Sequence, residues 1–358
     1  MYTIRDYIGE LSTNYGLPDE KQCLKSGLMN FQPDDCQQFK EENYHELYQL
    51  ILSLNDYIRV NLKTHYKLHK SYPSPRSLYP VKVFISLGDH KYLTKDDISG
   101  EYLVYRNSKL KTSEGDIAID FEDKYPEYYN HIKKSLFLLE IGHLLYNITT
   151  LALYGGFVYK LESNGHNLLL RLEEKNSGLI NSSKFDAFME SCLLRNSGPY
   201  QYRITQTGIK AVNFDELNDF IEHRISELGV LFHPEIRSGV SAVCGVNDGM
   251  GNFHYRTTSD TGTVDYKQLN QIYPYINFYG VSFYVFFYLN HTNLSDDHLT
   301  PLILALGYLT QSICLKYASR ERYCRPIKSF NIDEVEKLMK VDSASYTPYY
   351  LVISGGFE

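Results

Sequence analysis

The segment His69-Lys-Ser-Tyr-Pro-Ser-Pro-Arg-Ser-Leu-Tyr-Pro-Val-Lys-Val-Phe-Ile85 joins a turn rich in proline, serine and basic residues directly to an apolar strand. Pro73, Pro75 and Pro80 each fix φ near about −65° and remove a backbone donor, which excludes helix here. The remaining amides, the hydroxyls of Ser71, Ser74 and Ser77, and the charges of Lys70 and Arg76 suit an anionic, oxygen-rich ligand. The strand Val81-Lys-Val-Phe-Ile85 would hold such a turn still. An ordinary surface turn ahead of a strand has the same composition, so the flanking sequence has to decide.

Upstream, residues 1–40 are punctuated by Gly16, Pro18, Gly27 and Pro33 and read as an irregular arm. Leu47, Leu50, Ile51, Leu54 and Ile58 then recur at threes and fours, which predicts an amphipathic helix over 42–60. Downstream, 91–93 and 101–106 alternate as a meander around Gly100, and 115–119 adds a short strand. Residues 132–153 are apolar on nearly every face, which predicts a central helix ended by Gly155-Gly156. Strands at 157–161 and 168–172 and helices at 187–194 and 213–228 follow. The glycine-rich stretch 239–251 then leads to a very apolar strand at 281–288. The chain closes with a helix at 300–318, a basic segment at 320–328, a helix at 332–339 and a strand at 349–353.

Composition bounds the function. With 358 residues, 43% hydrophobic and 22% charged, the chain is an ordinary globular protein of one large or two ordinary domains. A formal charge of −7 argues against a nucleic-acid groove, whose affinity depends on neutralising phosphates. The 33 tyrosines, beside 18 phenylalanines and no tryptophan, supply many polar-tipped rings for large contact surfaces. The six cysteines form no Cys-x-x-Cys pair and no Cys/His cluster of zinc spacing, so no metal is expected. The first ten residues carry acids and no apolar core, so a signal peptide is not expected. The longest apolar run, 136–158, is interrupted by Glu140, His143 and Asn147 and reads as a buried helix, not a membrane span. A reducing, cytoplasmic setting follows as the expectation.

The two central helices can be superposed. Glu140-Ile-Gly-His-Leu-Leu-Tyr-Asn147 and Ala305-Leu-Gly-Tyr-Leu-Thr-Gln-Ser312 each carry a glycine followed by polar side chains, about half the chain apart. Glycine inside an apolar helix costs about 1 kcal/mol against alanine, so it marks close approach of another backbone or a ligand. These features predict a duplicated α+β unit with the helices packed on each other. The expected division is 1–40 as arm, 41–200 as first unit and 201–358 as a second, partly degenerate unit.

At this point a family resemblance enters. Tyr72-Pro73-Ser74-x-x-x-Leu78-Tyr79-Pro80 resembles the Tyr-Pro-Ser-Ala/Gly-Gly-Ala-Leu-Tyr-Pro signature of SagB-type dehydrogenases, nitroreductase-fold flavoproteins that oxidise thiazolines and oxazolines in ribosomal peptides. Gly100-Glu-Tyr-Leu-Val-Tyr105 is similar to that family's Gly-x-Tyr-x-Tyr strand. Glu140-x-Gly142-His143-x-x-x-Asn147 is similar to its Glu/Asp-x-Gly-His-x-x-Gln-Asn helix, and Arg325-Pro326-Ile327-x-x-Phe330 to its terminal motif. The matches cover about 45–155 and 300–358.

The resemblance implies an α+β, nitroreductase-like fold in two tandem units forming a pseudo-dimer around central helices, with one FMN per chain. Lys70, Tyr72, Pro73, Ser74 and Arg76 of the turn, Asn147 of the helix, and Arg325 and Lys328 of the terminal motif are the implied flavin contacts. It also implies a Lys-Tyr pair about a dozen residues before Glu140. Tyr129 stands at the tyrosine position, while the lysine is absent; Lys124-Tyr125 aligns if the loop carries an insertion. The implied function is azoline oxidation on a peptide substrate presented by a cyclodehydratase partner, with a homodimer possible and neither nucleic acid nor membrane involved. A generic NAD(P)H flavin reductase or nitroreductase and a non-catalytic, peptide-binding subunit are the competing readings.

Overall fold

The computed structural model of the protein describes residues 32–33, 46–61, 67–122, 124–164, 167–174, 182–198, 208–257, 261–290, 292 and 296–357. Most of the expected N-terminal arm lies outside the described residues. Contacts divide the chain into two compact units. The N-terminal unit comprises Asp19–Asn130 with His143–Leu193, and the C-terminal unit comprises His131–Gly142 with Leu194–Glu358.

The N-terminal unit is built on an antiparallel sheet of β1 (Gln32–Pro33), β4 (Val81–Gly88), β5 (Lys91–Lys95), β6 (Tyr102–Arg106), β7 (Ile117–Phe121), β8 (Phe157–Asn164) and β9 (Asn167–Glu174), with a separate pair β2 (Arg59–Val60) and β3 (Leu68–His69). Its order is β1-β6-β5-β4-β7-β9-β8. The sheet of the C-terminal unit holds β10 (Val240–Asn247), β11 (Asn252–Arg256), β12 (Thr261–Asp265), β13 (Val281–Asn290), β14 (Arg322–Ile327) and β15 (Tyr346–Gly356), ordered β12-β11-β10-β13-β15-β14. Strand for strand the two orders coincide once β1 is set aside: β4 answers to β10, β7 to β13, and the outer pair β9-β8 to β15-β14. The helices are α1 (Glu46–Leu52), α2 (Lys133–Tyr154), α3 (Ser182–Leu194), α4 (Phe214–Leu231), α5 (Pro234–Ser238), α6 (Tyr266–Ile272), α7 (Leu299–Lys316) and α8 (Ile332–Met339). The duplicated α+β architecture expected from the two central helices is thus present in the sheets as well.

The copies differ at one place for a legible reason. In the second copy α8 is inserted between β14 and β15, whereas in the first copy β8 ends at Asn164 and β9 begins at Asn167. Laying the first residue of β4 on that of β10 puts Phe84 on Val243, and through the ladders Leu169 on Leu351, Glu162 on Ile327 and Arg171 on Ile353. Ile327, Leu351 and Ile353 are buried in one cluster with Ile332, Val335 and Met339 of α8. Of their counterparts in the first copy, Leu169 is buried with Phe84 and Ala118, but Glu162 and Arg171 form a solvated ladder, with Lys160 3.0 Å and Arg171 3.4 Å from Glu162. Charge there removes the need for a covering helix.

Helix α7 and the first half of α2, both in the C-terminal unit, meet at their glycines. A Cβ on Gly142 would strike the Leu304 carbonyl oxygen, and one on Gly307 the Leu139 carbonyl oxygen. Both helices are long and apolar enough to cross a membrane, yet most of each is buried inside the protein. That agrees with the buried-helix reading of 136–158.

Two expected helix bounds need correction, and two stretches without a clear period are strands. The helix expected over 42–60 ends in a 3-10 turn at Asn55, because the Asn55 side chain leaves the helix to bond Val83 N–H and the Thr94 hydroxyl, each at 3.1 Å. The glycine-rich stretch 239–251 is strand β10 and its hairpin: Gly245 makes room for the Tyr284 ring, and Gly251, at φ +93°, for Tyr266. The basic segment 320–328 contains strand β14, and the helix at 187–194 begins at Ser182.

Gly307→Ala should destabilise the chain by at least about 2 kcal/mol, since backbone carbonyls cannot move aside. Gly229→Ala, whose Cβ would meet nothing closer than 3.6 Å in α4, should stabilise it by up to about 1 kcal/mol. Urea denaturation of both variants checks the contrast.

Candidate functional site

The turn ahead of β4 is held in a costly conformation. Arg76, Ser77 and Tyr79 have φ of +52°, +54° and +45°, the left-handed region that side chains rarely adopt. Several bonds over-determine it. The Ser74 hydroxyl accepts from the Tyr79 amide at 3.0 Å, and the buried Tyr72 donates its hydroxyl to the Val81 carbonyl at 3.3 Å. From α2, His143 Nδ1–H donates to the Pro73 carbonyl at 3.2 Å and the Asn147 amide to the Ser71 hydroxyl at 2.9 Å. The rings of Tyr72 and Tyr79 meet edge-on at 5.4 Å. His143 and Asn147, one helical turn apart, are therefore the two pins by which α2 holds this turn.

Lys70 is fully buried and its ammonium lies 3.2 Å from Asp97, itself nearly buried. Tyr57 and Tyr79 stand 5.2 and 5.6 Å from that ammonium. Burial first, and then the Asp97 charge, push the Tyr57 phenol up to about 12. The lysine expected at a flavin phosphate is thus already neutralised within its own unit. Asp97 gave no sequence signal, because an acid in a hairpin turn usually faces water.

Turn and tyrosine segment do come together. The Arg76 guanidinium lies 4.6 Å above Tyr128 and 5.9 Å from the Tyr129 ring centre. Tyr129 in turn packs on Tyr128 at 4.6 Å and on the buried Tyr125 at 5.7 Å. Lys124 is turned away to Glu122 at 2.6 Å, which also takes Lys82 at 3.1 Å. Burial alone would raise the Glu122 carboxyl, but the two lysines win and hold it below its usual range. Asp120, cross-strand from Lys82, loses that partner to Glu122, and burial pushes its carboxyl up to about 8.

Arg325 and Lys328 belong to the C-terminal unit. Arg325 Nε donates to the Ser197 carbonyl at 2.6 Å. Lys328 is buried with its ammonium 3.6 Å from the Tyr349 ring centre, and no hydrogen-bond acceptor reaches it among the described residues. Tyr349 and Ser135 bond to each other at 2.7 Å. FMN brings a phosphate dianion, and a buried amine with no acceptor among the described residues suits that group where the compensated Lys70 does not. Burial lowers the proton affinity of Lys328 well below that of an ordinary lysine.

Two stability effects follow. Asp97→Ala should cost about 3 kcal/mol by stranding Lys70, whereas Lys70→Met combined with Asp97→Leu should cost less; urea denaturation of single and double variants decides. Folded chain keeps the Asp120 proton up to about pH 8, while an unfolded aspartate releases it near pH 4. The folded state thus binds more protons between those limits, and stability should fall as pH rises through them. Asp120→Asn should flatten that decline and stabilise the chain at pH 8 more than at pH 5, measured by unfolding at both.

No family model and no curated protein matches the chain. Among solved structures, a protein from Anabaena variabilis named as a nitroreductase aligns over 100% of both chains with a TM-score of 0.63 at 12% identity. A Ralstonia eutropha protein named as a nitroreductase (TM-score 0.32, 12% identity, 48% of this chain and 83% of that one) and a nitroreductase-family protein from Streptococcus pneumoniae (0.29, 11%, 48% and 90%) are also similar, at levels that carry no argument. The first likeness covers the whole chain, so the fold is that of a nitroreductase.

Proposed function

We propose that the chain is an FMN-dependent oxidoreductase and, more narrowly, a dehydrogenase that converts thiazoline or oxazoline rings of a ribosomally made peptide to thiazole or oxazole. The observation that carries the flavin is Lys328, a buried amine that no hydrogen-bond acceptor reaches among the described residues, on a nitroreductase fold. The azoline substrate and a cyclodehydratase as its supplier rest on the Tyr72-to-Pro80 signature.

Lys328 would hold the phosphate. A bound FMN would supply hydride-acceptor chemistry. Within the N-terminal unit, Tyr129 is the side chain suited to take a proton from a ring carbon, at its hydroxyl oxygen. An unperturbed phenol, with a pKa near about 10, is a weak base; Arg76, whose guanidinium lies 4.6 Å over Tyr128 and 5.9 Å from the Tyr129 ring, favours the phenolate. Tyr125 braces Tyr129 edge-on, and Lys124, engaged by Glu122, serves charge balance and not proton transfer. The Lys70–Asp97 pair favours a second reading, a non-catalytic peptide-binding subunit, because it closes one expected cation to the flavin.

The visible spectrum of purified protein supplied with FMN, with mass spectrometry of the released chromophore, tests the first reading. One flavin per chain is expected; a colourless chain that still binds peptide supports the second. Tyr129→Phe should keep its FMN while losing about 100-fold or more in azoline oxidation. Undiminished turnover would remove Tyr129 from its role.

A further inference from the structure

Strand β1 has no counterpart in the C-terminal unit among the described residues. In the N-terminal unit it is added outside β6, antiparallel, with Gln32 opposite Arg106 and Pro33 opposite Tyr105. The counterpart of β6 is β12, which ends the sheet of the C-terminal unit. Laying Val81 on Val240 carries Tyr92 onto Tyr255 and Arg106 onto Thr263 through the ladders. The residue that receives an added strand in one copy is therefore Thr263 in the other. The Tyr266 amide donates to the Gly251 carbonyl at 2.8 Å, so alternation along the ladder turns the main chain of Gly262 and Val264 towards β11 and that of Thr263 outward. The Thr263 amide and carbonyl have no partner among the described residues. Edges are ordinarily blunted by lysine, proline or a cover. The β12 sequence Thr-Gly-Thr-Val-Asp holds neither lysine nor proline. The other edge of the same sheet is covered, with the Cys324 amide donating to the Asn196 carbonyl at 2.8 Å.

Side chains beside this edge select what fits it. Residues directly opposite each other on paired strands share a face, so a residue opposite Thr263 would lie in the row of His254. A cavity of about 350 Å³ borders that row, lined by Phe214, His254, Arg256, Thr261 and Thr263. The Arg256 guanidinium lies 5.2 Å from the Phe214 ring centre and meets Asp215 through one exposed contact of 3.4 Å, which leaves its fork open to a second carboxylate. His254 Nδ1 bonds the Thr263 hydroxyl at 3.1 Å, and its Nε2 has no hydrogen-bond partner among the described residues. Arg256 carries the one fixed charge among the residues lining the cavity. We infer that β12 takes up an extended acidic peptide as an added strand, in the antiparallel sense of β1, pairing through the Thr263 main chain and seating a carboxylate at Arg256 and His254. This peptide site lies within the C-terminal unit and requires no flavin.

Fluorescence anisotropy of the full chain with end-labelled decapeptides tests this, using alternating Thr-Glu, alternating Thr-Lys, and Thr-Glu with N-methylated glutamates. The Thr-Glu peptide should bind, and the Thr-Lys peptide should bind at least about tenfold more weakly. N-methylation, which removes the donors facing the edge, should weaken binding about tenfold. Arg256→Gln should erase the preference for glutamate over lysine. Thr263→Pro, which removes an edge donor and no bond to β11, should weaken binding about tenfold. Hydrogen exchange at the Thr263 amide should slow when the Thr-Glu peptide is added. Failure of that peptide to bind, equal binding of the lysine peptide, or binding untouched by N-methylation and by both substitutions would overturn the inference. So would a Thr263 amide already protected in the chain alone. Its release on removing residues 1–31 would assign the edge to the chain's own N-terminal segment, and its release on dilution to a second copy of the chain.

Discussion

Two helix backbones in the C-terminal unit touch with no side chain between them. Gly142 and Gly307 lie where any Cβ would enter a neighbouring carbonyl oxygen. The apolar faces of α7 and of the first half of α2 are useful only at that separation, because packed interiors tolerate little extra volume. In the N-terminal unit, the same helix α2 carries His143 and Asn147, which pin the turn before β4. A residue chosen for packing and residues chosen for holding a loop thus lie within two turns of one helix. Movement of that helix would disturb both.

The duplication was visible in the sequence only at its helices. Glycine in an apolar helical run is a strong signal, since nothing else excuses its cost. The strands of the second copy were harder to see. β10 contains Gly245 and ends near Gly249 and Gly251, so it shows no strand period, yet Gly245 is a strand residue that makes room for the ring of Tyr284. β14 is disguised by two basic residues and a proline, and is a strand because β15 supplies its ladder. In both cases a partner distant in sequence decided the conformation, and local composition does not carry that information.

The site was legible to a different degree. The turn from His69 to Pro80 could be recognised as special from its prolines and hydroxyls, and its left-handed residues bear that out. The sequence did not disclose which of its charges are already used. Lys70 and Arg76 look alike on paper, yet one is buried against Asp97 and the other is exposed and stacked on Tyr128. Lys328 is the converse: an unremarkable lysine after a strand that turns out to be sealed from water. Burial and pairing are tertiary facts. They separate three basic side chains into a structural cation, a surface clamp and a buried amine that no acceptor reaches among the described residues.

The charged ladder of Lys160, Glu162 and Arg171 bears on how the two copies can drift. Water absorbs a change at Glu162, so that outer face is open to many polar sequences. Ile327 and Ile353, the counterparts of Glu162 and Arg171, pack with α8, and a polar residue there must unseat a helix. After a duplication, equivalent positions thus tolerate different substitutions. Two copies of one fold will lose their likeness fastest where one of them has exchanged a roof for solvent.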